Sequence, residues 1–588
     1  MAPPRPPRAD GSSPAGPAPK LFHRGDGRGR AILLTFAMLM LLSIYAGRVF
    51  DLMIIKGDGL ATRGEKQRLR TNPLPADRGP IYDSEGAPLA ITVESRNITA
   101  NQLQIQDPAT AAQRLAPMLG VDQASLQASL TGDDPFVYVS KGLTPEKWRQ
   151  IQALKIAGIY SEKKTKRTYP SGTLAANVLG FVNAEGVGSG GLEMSLDDRL
   201  KGVDGSRTFE QGAAGQAIPS AEDVLRAPTP GEGVQLTINR DIQYVAQRAI
   251  ATKVREAGAE SGTVSVIEAK TGRILAMATY PTFDPNNYLS ADPANMGNRP
   301  VSEIYEPGST GKLLTLSGVV EEGKAKPKSR IVVPPTLTRG GHTTNDHTPH
   351  GTLKLTLAGV MAQSSNIGTI LFADKIGGDK LYEYQRKFGM GQYSGLNFPG
   401  EEAGLLPSPD KWWPTTFQAL AYGQSYSVTS LQVAQVYQTI ANNGVRLTPR
   451  LIDGYVADDG TFTPAPTEPG IPVVSAKTAR TMRKMLETVV SDGTAKVAMI
   501  PGYRVGAKTG TAERVVKGRY SGFTASFIGI APADDPELVV QVALQDPKNG
   551  HYGSVLAGPV FNTVMTYALQ ELKIPPSGTK SPVIPTTW

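Results

Sequence analysis

Residues 31–47 (AILLTFAMLMLLSIYAG) form an apolar run of 17 residues without a charge, and Val49 and Phe50 extend it past Arg48. That length is the short end of a membrane-crossing helix, and Arg48 can snorkel to the interface. The run predicts a transmembrane helix over residues 31–50. Arg24, Arg28 and Arg30 precede it, which places the N-terminal side in the cytoplasm and the rest of the chain outside. A cleaved signal peptide is the competing reading. The long leading tail and the lack of an Ala-x-Ala site after the run favour an uncleaved anchor. Residues 1–30 are rich in Pro, Gly, Ala and Arg, with little apolar content beyond Leu21 and Phe22. They bury too little to fold alone and read as a disordered basic tail.

Beyond the span, residues 51–70 read as a short amphipathic connector. Residues 78–90 (RGPIYDSEGAPLA) predict a strand, a turn at 83–86 and a returning strand. Helical patches follow at 109–119 and 145–154, then a Gly-rich stretch over 169–205 whose 192–200 part has helical spacing. Nothing up to this point carries a catalytic constellation, and the segment reads as an elongated spacer or docking region. The breaker cluster at 228–233 (PTPGEG) marks a boundary. After it come a strand at 234–238, a helix at 240–257 and a hairpin of 263–268 with 273–279 around Lys270-Thr271-Gly272. Residues 309–448 are mostly helical in pattern. Strands return at 507–513, 524–531 and 538–544, before a helix at 560–572 and a Pro-rich tail. Strands at both ends with helices between them predict an α+β domain whose antiparallel sheet is closed by distant parts of the chain.

Composition narrows the function classes. At 588 residues the chain is too long for one core. The net charge is +8, and residues 1–30 hold six Lys or Arg against two Asp. The remaining charge is too mild and scattered to indicate nucleic acid as a partner. There is no Cys, which excludes disulfides, thiolate catalysis and Cys-based zinc sites.

Candidate chemistry centres on 305–316 (YEPGSTGKLLTL). Pro307 and Gly308 break any preceding helix, so Ser309 falls at a helix's first turn with Lys312 one turn on. A helix start offers free N–H groups to a developing oxyanion, and a lysine of lowered pKa can take the serine's proton. Ser-x-x-Lys occurs four times, from Ser161, Ser309, Ser408 and Ser577. Ser161 lies in a charged run, Ser408 between two prolines and Ser577 in the terminal tail. Only Ser309 opens a long apolar helix and precedes two further elements, Ser364-Ser365-Asn366 and Lys508-Thr509-Gly510-Thr511. Lys-Thr-Gly at 270–272 reads as a plain hairpin turn, and Ser95-Arg96-Asn97 stands alone. Acyl transfer without a His–Asp pair needs a nucleophile, an adjacent base, a proton relay and donors for the oxyanion and substrate carboxylate. The three elements, in this order, can supply all of these.

With those motifs in place, the chain resembles a class B penicillin-binding protein of the division-specific FtsI type. RGPIYDSEGAPLA, RTYPSGTLAANVLGFV and GVGSGGLEMSLDDRLKG resemble motifs of that family's non-catalytic pedestal. YEPGSTGK, SSNIG and KTGTAE resemble its three active-site motifs, and FPGEEAGLLPSPDKW and AYGQSYSVTSLQVAQVYQTIANNGV fit the stretch between the second and third. The resemblance implies a basic tail (1–30), a span (31–50), a pedestal of the dimerisation type (51–228), a β-lactamase-like transpeptidase domain (229–575) and a C-terminal tail (576–588). It implies D,D-transpeptidation of peptidoglycan stem peptides ending in D-Ala-D-Ala, with no cofactor. Ser309 is then the nucleophile, Lys312 the base and Ser364 the relay to the leaving amine. Asn366 and Lys508 complete the catalytic set, while Thr509, Gly510 and Thr511 bind substrate. Backbone N–H groups of Ser309 and Thr511 form the oxyanion hole. β-Lactams would acylate Ser309, and a SEDS-family glycosyltransferase with other division-complex membrane proteins would be the partners. Gly311 stands where the family often has Val or Phe, which implies looser packing there.

Two other clusters have readings of their own. His342, His347 and His350 with Asp346 (HTTNDHTPH) fit no helix face and lack a Cys or Glu, so they read as a solvated loop rather than metal ligands. Trp412 and Trp413 read as packing or groove-rim residues. Within the family an elongation-type class B transpeptidase is the alternative to the division type; outside it, a non-catalytic scaffold or sensor and a hydrolase, either D,D-carboxypeptidase or β-lactamase, are the rival function classes. The intact motifs argue against the scaffold, and the anchor and pedestal against the hydrolase.

Overall fold

The structure is a computed structural model, and it describes residues 27–210, 223–516 and 519–588. The chain divides into two units. The first comprises residues 1–74 with 205–227, the second residues 75–204 with 228–588. Residues 51–228 are thus shared between them.

In the first unit, Gly27–Phe50 is one helix with no buried residue, continued by a π-turn, Asp51–Ile55. Together they are long and apolar enough to cross a membrane. Most of the expected 1–30 tail lies outside the described residues. The expected connector is a helix, Gly57–Arg68, followed by the strand Leu69–Leu74. That strand joins Gly205–Glu210 and Asp223–Arg226 in an antiparallel three-stranded sheet.

The second unit holds two larger sheets. A seven-stranded sheet contains Ile81–Tyr82 and Pro88–Ala100, the hairpin expected from RGPIYDSEGAPLA. Asp83 makes its turn by accepting from the Glu85 and Ala87 N–H groups. The breaker cluster at 228–233 leads straight into Gly233–Leu236, which pairs in parallel with Ile81–Tyr82 and antiparallel with Ile452–Val456. Two motifs more than a hundred residues apart meet beside this hairpin. Arg78 Nε donates to Glu193 Oε2 and Nη1 to Asp197, both at 2.6 Å, and Arg167 Nε reaches Glu193 Oε1 at 2.7 Å. Glu193 is fully buried, so two guanidinium groups are its compensation for lost water.

The five-stranded sheet runs Ile274–Tyr280, Ser261–Glu268, Leu538–Gln545, Arg519–Ala531, Gly506–Val516, antiparallel throughout. Segments about 270 residues apart close it, with Leu538 opposite Glu268, as strands at both ends with helices between them predict. All of Leu538–Gln545 is buried, so helices cover both faces. Arg240–Ala257 packs with Gly553–Glu571, and Ser430–Ala441 with Ala476–Ser491.

The pattern over 309–448 is not purely helical. Arg330–Val333 pairs with Leu353–Thr356, and Thr336–Arg339 with His342–Asn345. The β-branched run Ile331-Val332-Val333 carries that signal, and the longer helices around it mask it. Nor does the tail hang free. Thr356 N–H donates to the Thr586 carbonyl at 3.0 Å, Thr356 Oγ1 to that of Pro585 at 2.6 Å, and the Trp588 indole N–H to that of Leu355 at 3.1 Å.

Glu193→Ala would leave Arg167 without a carboxylate partner and Arg78 with Asp197 alone. A loss of about 3–5 kcal/mol is expected, read as a lowered Tm of the ectodomain, with Glu193→Gln losing less.

Candidate active site

Three separate stretches converge on a cleft of about 770 Å³ whose lining includes Gly308, Ser309, Ser364, Asn366, Thr509 and Thr511. The first enters as a 3-10 turn, Gly308–Gly311, which runs directly into the helix Lys312–Glu321. Sequence alone predicted an α-helical first turn at Ser309. In a 3-10 turn residues i and i+3 eclipse, so Lys312 stands on the side of Ser309 more directly than an α-turn would place it. Ser309 is half-buried. Its N–H belongs to the first turn, where such groups lack an intrahelical acceptor.

Lys312 is fully buried. Its Nζ donates to the Ser364 carbonyl at 2.5 Å, to Asn366 Oδ1 at 2.6 Å and to Ser364 Oγ at 3.3 Å. Burial pulls the amine down to about 7, against the pull of the Asp346 carboxylate. Three acceptors match an ammonium's three N–H groups, while the loss of water favours the neutral amine. The balance lets the group hold or release a proton near neutrality.

The second motif is built to present those acceptors. The helix Leu357–Gln363 ends at Ser364, which adopts a left-handed φ of 60°. This conformation costs a non-glycine residue roughly 1 kcal/mol or more and clusters at functional sites. Ser365 then caps the helix Asn366–Ala373, accepting from Gly368 N–H at 2.8 Å. Its own hydroxyl donates to Asp346 Oδ2 at 2.6 Å. Asp346 Oδ1 also accepts from Ile367 N–H at 2.9 Å, and Asn366 Nδ2 donates to the Asn345 carbonyl at 3.0 Å.

The third motif lies on Gly506–Val516, the edge strand of the sheet. Lys508 is fully buried and donates to Ser364 Oγ at 2.9 Å and to the Thr509 carbonyl at 3.1 Å. Burial, with Lys312 nearby, pushes its amine well below the usual lysine range. Ser364 Oγ therefore sits between two lysines. Thr509 and Thr511 alternate onto the cleft side. Thr509 Oγ1 meets Thr494 Oγ1 at 3.0 Å, and Thr511 Oγ1 accepts from Gly553 N–H at 3.3 Å. A Cβ at Gly510 would lie 2.2 Å from Ser526 Oγ and 3.0 Å from Thr310 Cγ2, so only glycine lets strand and nucleophile turn approach this closely.

All the sequence-predicted site residues thus meet in one place, and the look-alikes stay outside. Ser161 is on the strand Ile159–Thr168, Ser408 precedes a 3-10 turn and Ser577 donates to Asp534, none of them at the cleft. Lys270 is spent on Asp535 and Glu537. Two readings change. The histidine loop is not merely solvated: His342, His347 and His350 line the cleft, and Asp346 braces the second motif while meeting His350 Nε2 at 3.0 Å. Packing at Gly311 is not loose, because a Cβ there would lie 2.5 Å from the hydroxyl of buried Tyr426. Trp412 packs, its indole N–H donating to the Pro407 carbonyl at 2.9 Å, whereas Trp413 is 78% exposed. Thr494, Tyr422 and Gln424 were not read as site residues, and Asp346 only as part of the histidine loop; the stretch AYGQSYSVTSLQVAQVYQTIANNGV, whose opening holds Tyr422 and Gln424, is the signal that could have found two of them.

Comparison with known proteins places the chain in a family. Residues 262–566 match the penicillin binding protein transpeptidase domain, and residues 73–236 the penicillin-binding protein dimerisation domain. Penicillin-binding protein PbpB of Mycolicibacterium smegmatis is 36% identical, over 93% of this chain and 91% of that protein. Peptidoglycan D,D-transpeptidase FtsI of Escherichia coli is 31% identical over 93% of this chain and 92% of its own length. Among solved structures, Mycobacterium tuberculosis penicillin binding protein 3 complexed with aztreonam superposes with a TM-score of 0.70. It is 33% identical and covers 88% of this chain and 100% of that one. By its two matched domains and by relatives aligned over nearly its whole length, the chain belongs to the class B penicillin-binding proteins.

Proposed function

We propose that this chain is a membrane-anchored peptidoglycan D,D-transpeptidase that cross-links stem peptides through an acyl-enzyme on Ser309. The observation that carries the reading is the buried Lys312, one 3-10 turn from Ser309, with an amine balanced near neutrality. Ser309 Oγ attacks the carbonyl between two terminal D-alanines as Lys312 accepts its proton. N–H groups of Ser309 and Thr511 hold the oxyanion. The terminal D-Ala leaves as an amine protonated through Ser364 Oγ, which lies within reach of both lysines. An amine of a neighbouring stem peptide then attacks the ester and restores the free serine. Asn366 orients Lys312, while Lys508, Thr509 and Thr511 receive the substrate carboxylate, an anion that favours the charged form of Lys508. Gly510 keeps the strand close to the turn.

The domain assignment that accompanies this reading is a cytoplasmic tail over 1–30, a span over 31–50, a pedestal over 51–228, the transpeptidase domain over 229–575 and a tail over 576–588. The N-terminus is cytoplasmic and the catalytic domain extracytoplasmic. A septal role, with a SEDS-family glycosyltransferase and other division-complex proteins as partners, is supported by the FtsI-type motifs and by the likeness to Escherichia coli FtsI. β-Lactams acylate the same serine, as ligands resembling D-Ala-D-Ala.

Ser309→Ala is expected to abolish covalent labelling by a fluorescent penicillin while leaving Tm within a degree or two; unchanged labelling would overturn the assignment. Because Lys312 must be neutral to act as base, the acylation rate should rise with pH about tenfold per unit below 7. Stopped-flow acylation from pH 5 to 7.5 measures this limb. Supplying an amine acceptor with a stem-peptide mimic should divert product from hydrolysis to the cross-linked dipeptide, an outcome a carboxypeptidase would not give.

A further inference from the structure

Glu306, three residues before the nucleophile, is 7% exposed and takes no part in the chemistry above. The segment it belongs to is fastened to a second segment at several points. Ile304–Tyr305 pairs antiparallel with Val428–Thr429. Farther along, Gly308 N–H donates to the Gly423 carbonyl at 2.8 Å. Between these contacts, Glu306 Oε1 accepts from the Ser425 N–H at 2.9 Å. The turn so held is a demanding one. Gly423 has φ 99°, with no room for a Cβ beside the Gly308 carbonyl, and Ser425 has φ 61°. Tyr422 and Gln424 on this turn line the cleft with Gly308 and Ser309. A shift of the turn would therefore reach the residue that precedes the nucleophile through a single hydrogen bond.

One N–H is poor compensation for a buried carboxylate. Oε2 is buried with no hydrogen-bond partner among the described residues. The groups facing the carboxyl are Glu513 on the neighbouring edge strand, Tyr520 on the next strand, and Tyr422 and Tyr426 beside the turn. None of them is a cation. A neutral carboxyl fills this site at lower cost than an ionised one.

We propose that Glu306 is a positioning residue that acts as a neutral acid, holding the 423–425 turn and through it the Gly308–Ser309 backbone in the geometry acylation needs. Burial raises the carboxyl to about 7, with Glu513 adding to the rise and the Ser425 N–H and nearby Tyr520 opposing it. The native state therefore keeps a proton that the unfolded chain loses near 4.5. The stability this contributes is complete below that value and is lost as pH rises through about 7, because the ionised group, although a better acceptor for the Ser425 N–H, is drawn from its buried site toward water and takes the turn with it. The inference rests on the Ser309 acyl-enzyme reading and adds an alkaline limb to the Lys312 acid limb.

The test uses the full-length protein in detergent and measures the second-order rate of acylation by a fluorescent penicillin from pH 6 to 9, together with Tm. The wild type should lose rate above neutrality. Glu306→Gln, which keeps an oxygen for Ser425 and cannot ionise, should acylate normally at pH 6.5 and show no alkaline limb. Glu306→Ala should acylate roughly three- to tenfold more slowly at pH 6.5, the worth of one hydrogen bond. An unaltered alkaline limb in Glu306→Gln, or a wild-type rate in Glu306→Ala, would overturn the proposal. If the alanine variant does not fold, the glutamine profile decides alone. Failure of the acyl-enzyme reading looks different, as labelling that persists in Ser309→Ala.

Discussion

The site depends on one buried amine. Lys312 has no contact with water, and the groups that receive its protons are two neighbours from the second motif, Ser364 and Asn366. Remove water from a lysine without giving it a carboxylate in contact and its charged state becomes expensive. The carboxylate that does act on it, Asp346, works from behind the second motif, bound to Ser365 and Ile367. It tempers the loss of charge without neutralising the lysine by direct contact.

The same constraint recurs around the cleft. Lys508 and Glu306 carry opposite formal charges, and both are driven toward their uncharged forms by burial. An apolar setting of this kind strengthens every remaining polar contact and makes each unpaired charge costly. It also explains the close packing. The 3-10 turn touches the edge strand at Gly510, the 423–425 turn at Gly308 and Tyr426 at Gly311. A side chain at Gly311 or Gly510 would push the nucleophile away from its neighbours. Tyr426, over a hundred residues away, fills the space beside Gly311.

Much of this was legible locally. The apolar run at 31–50, the turn at Asp83, the helix Arg240–Ala257 and the returning strands each carry their own periodicity or breaker residues, so their extents follow from nearby residues. The order of Ser309, Ser364 and Lys508 selected one Ser-x-x-Lys from four. Short hairpins over 330–356 were harder, because four-residue strands between long helices barely disturb the helical pattern. The docked tail and the cleft-lining histidine loop were not legible at all, since their partners lie far off in sequence.

By itself the sequence determined which chemistry is available: a serine after a helix breaker, lysines at fixed offsets, and no thiol or strong metal site to compete. Only the tertiary structure decided how Lys312 loses its proton, because burial is a property of the surrounding packing rather than of the residue. It likewise turned Asp346 from a residue of a solvated loop into a brace for the second motif, and Glu306 from an ordinary acid into a buried one. Those assignments depend on distances between segments tens to hundreds of residues apart, and local patterning does not encode them.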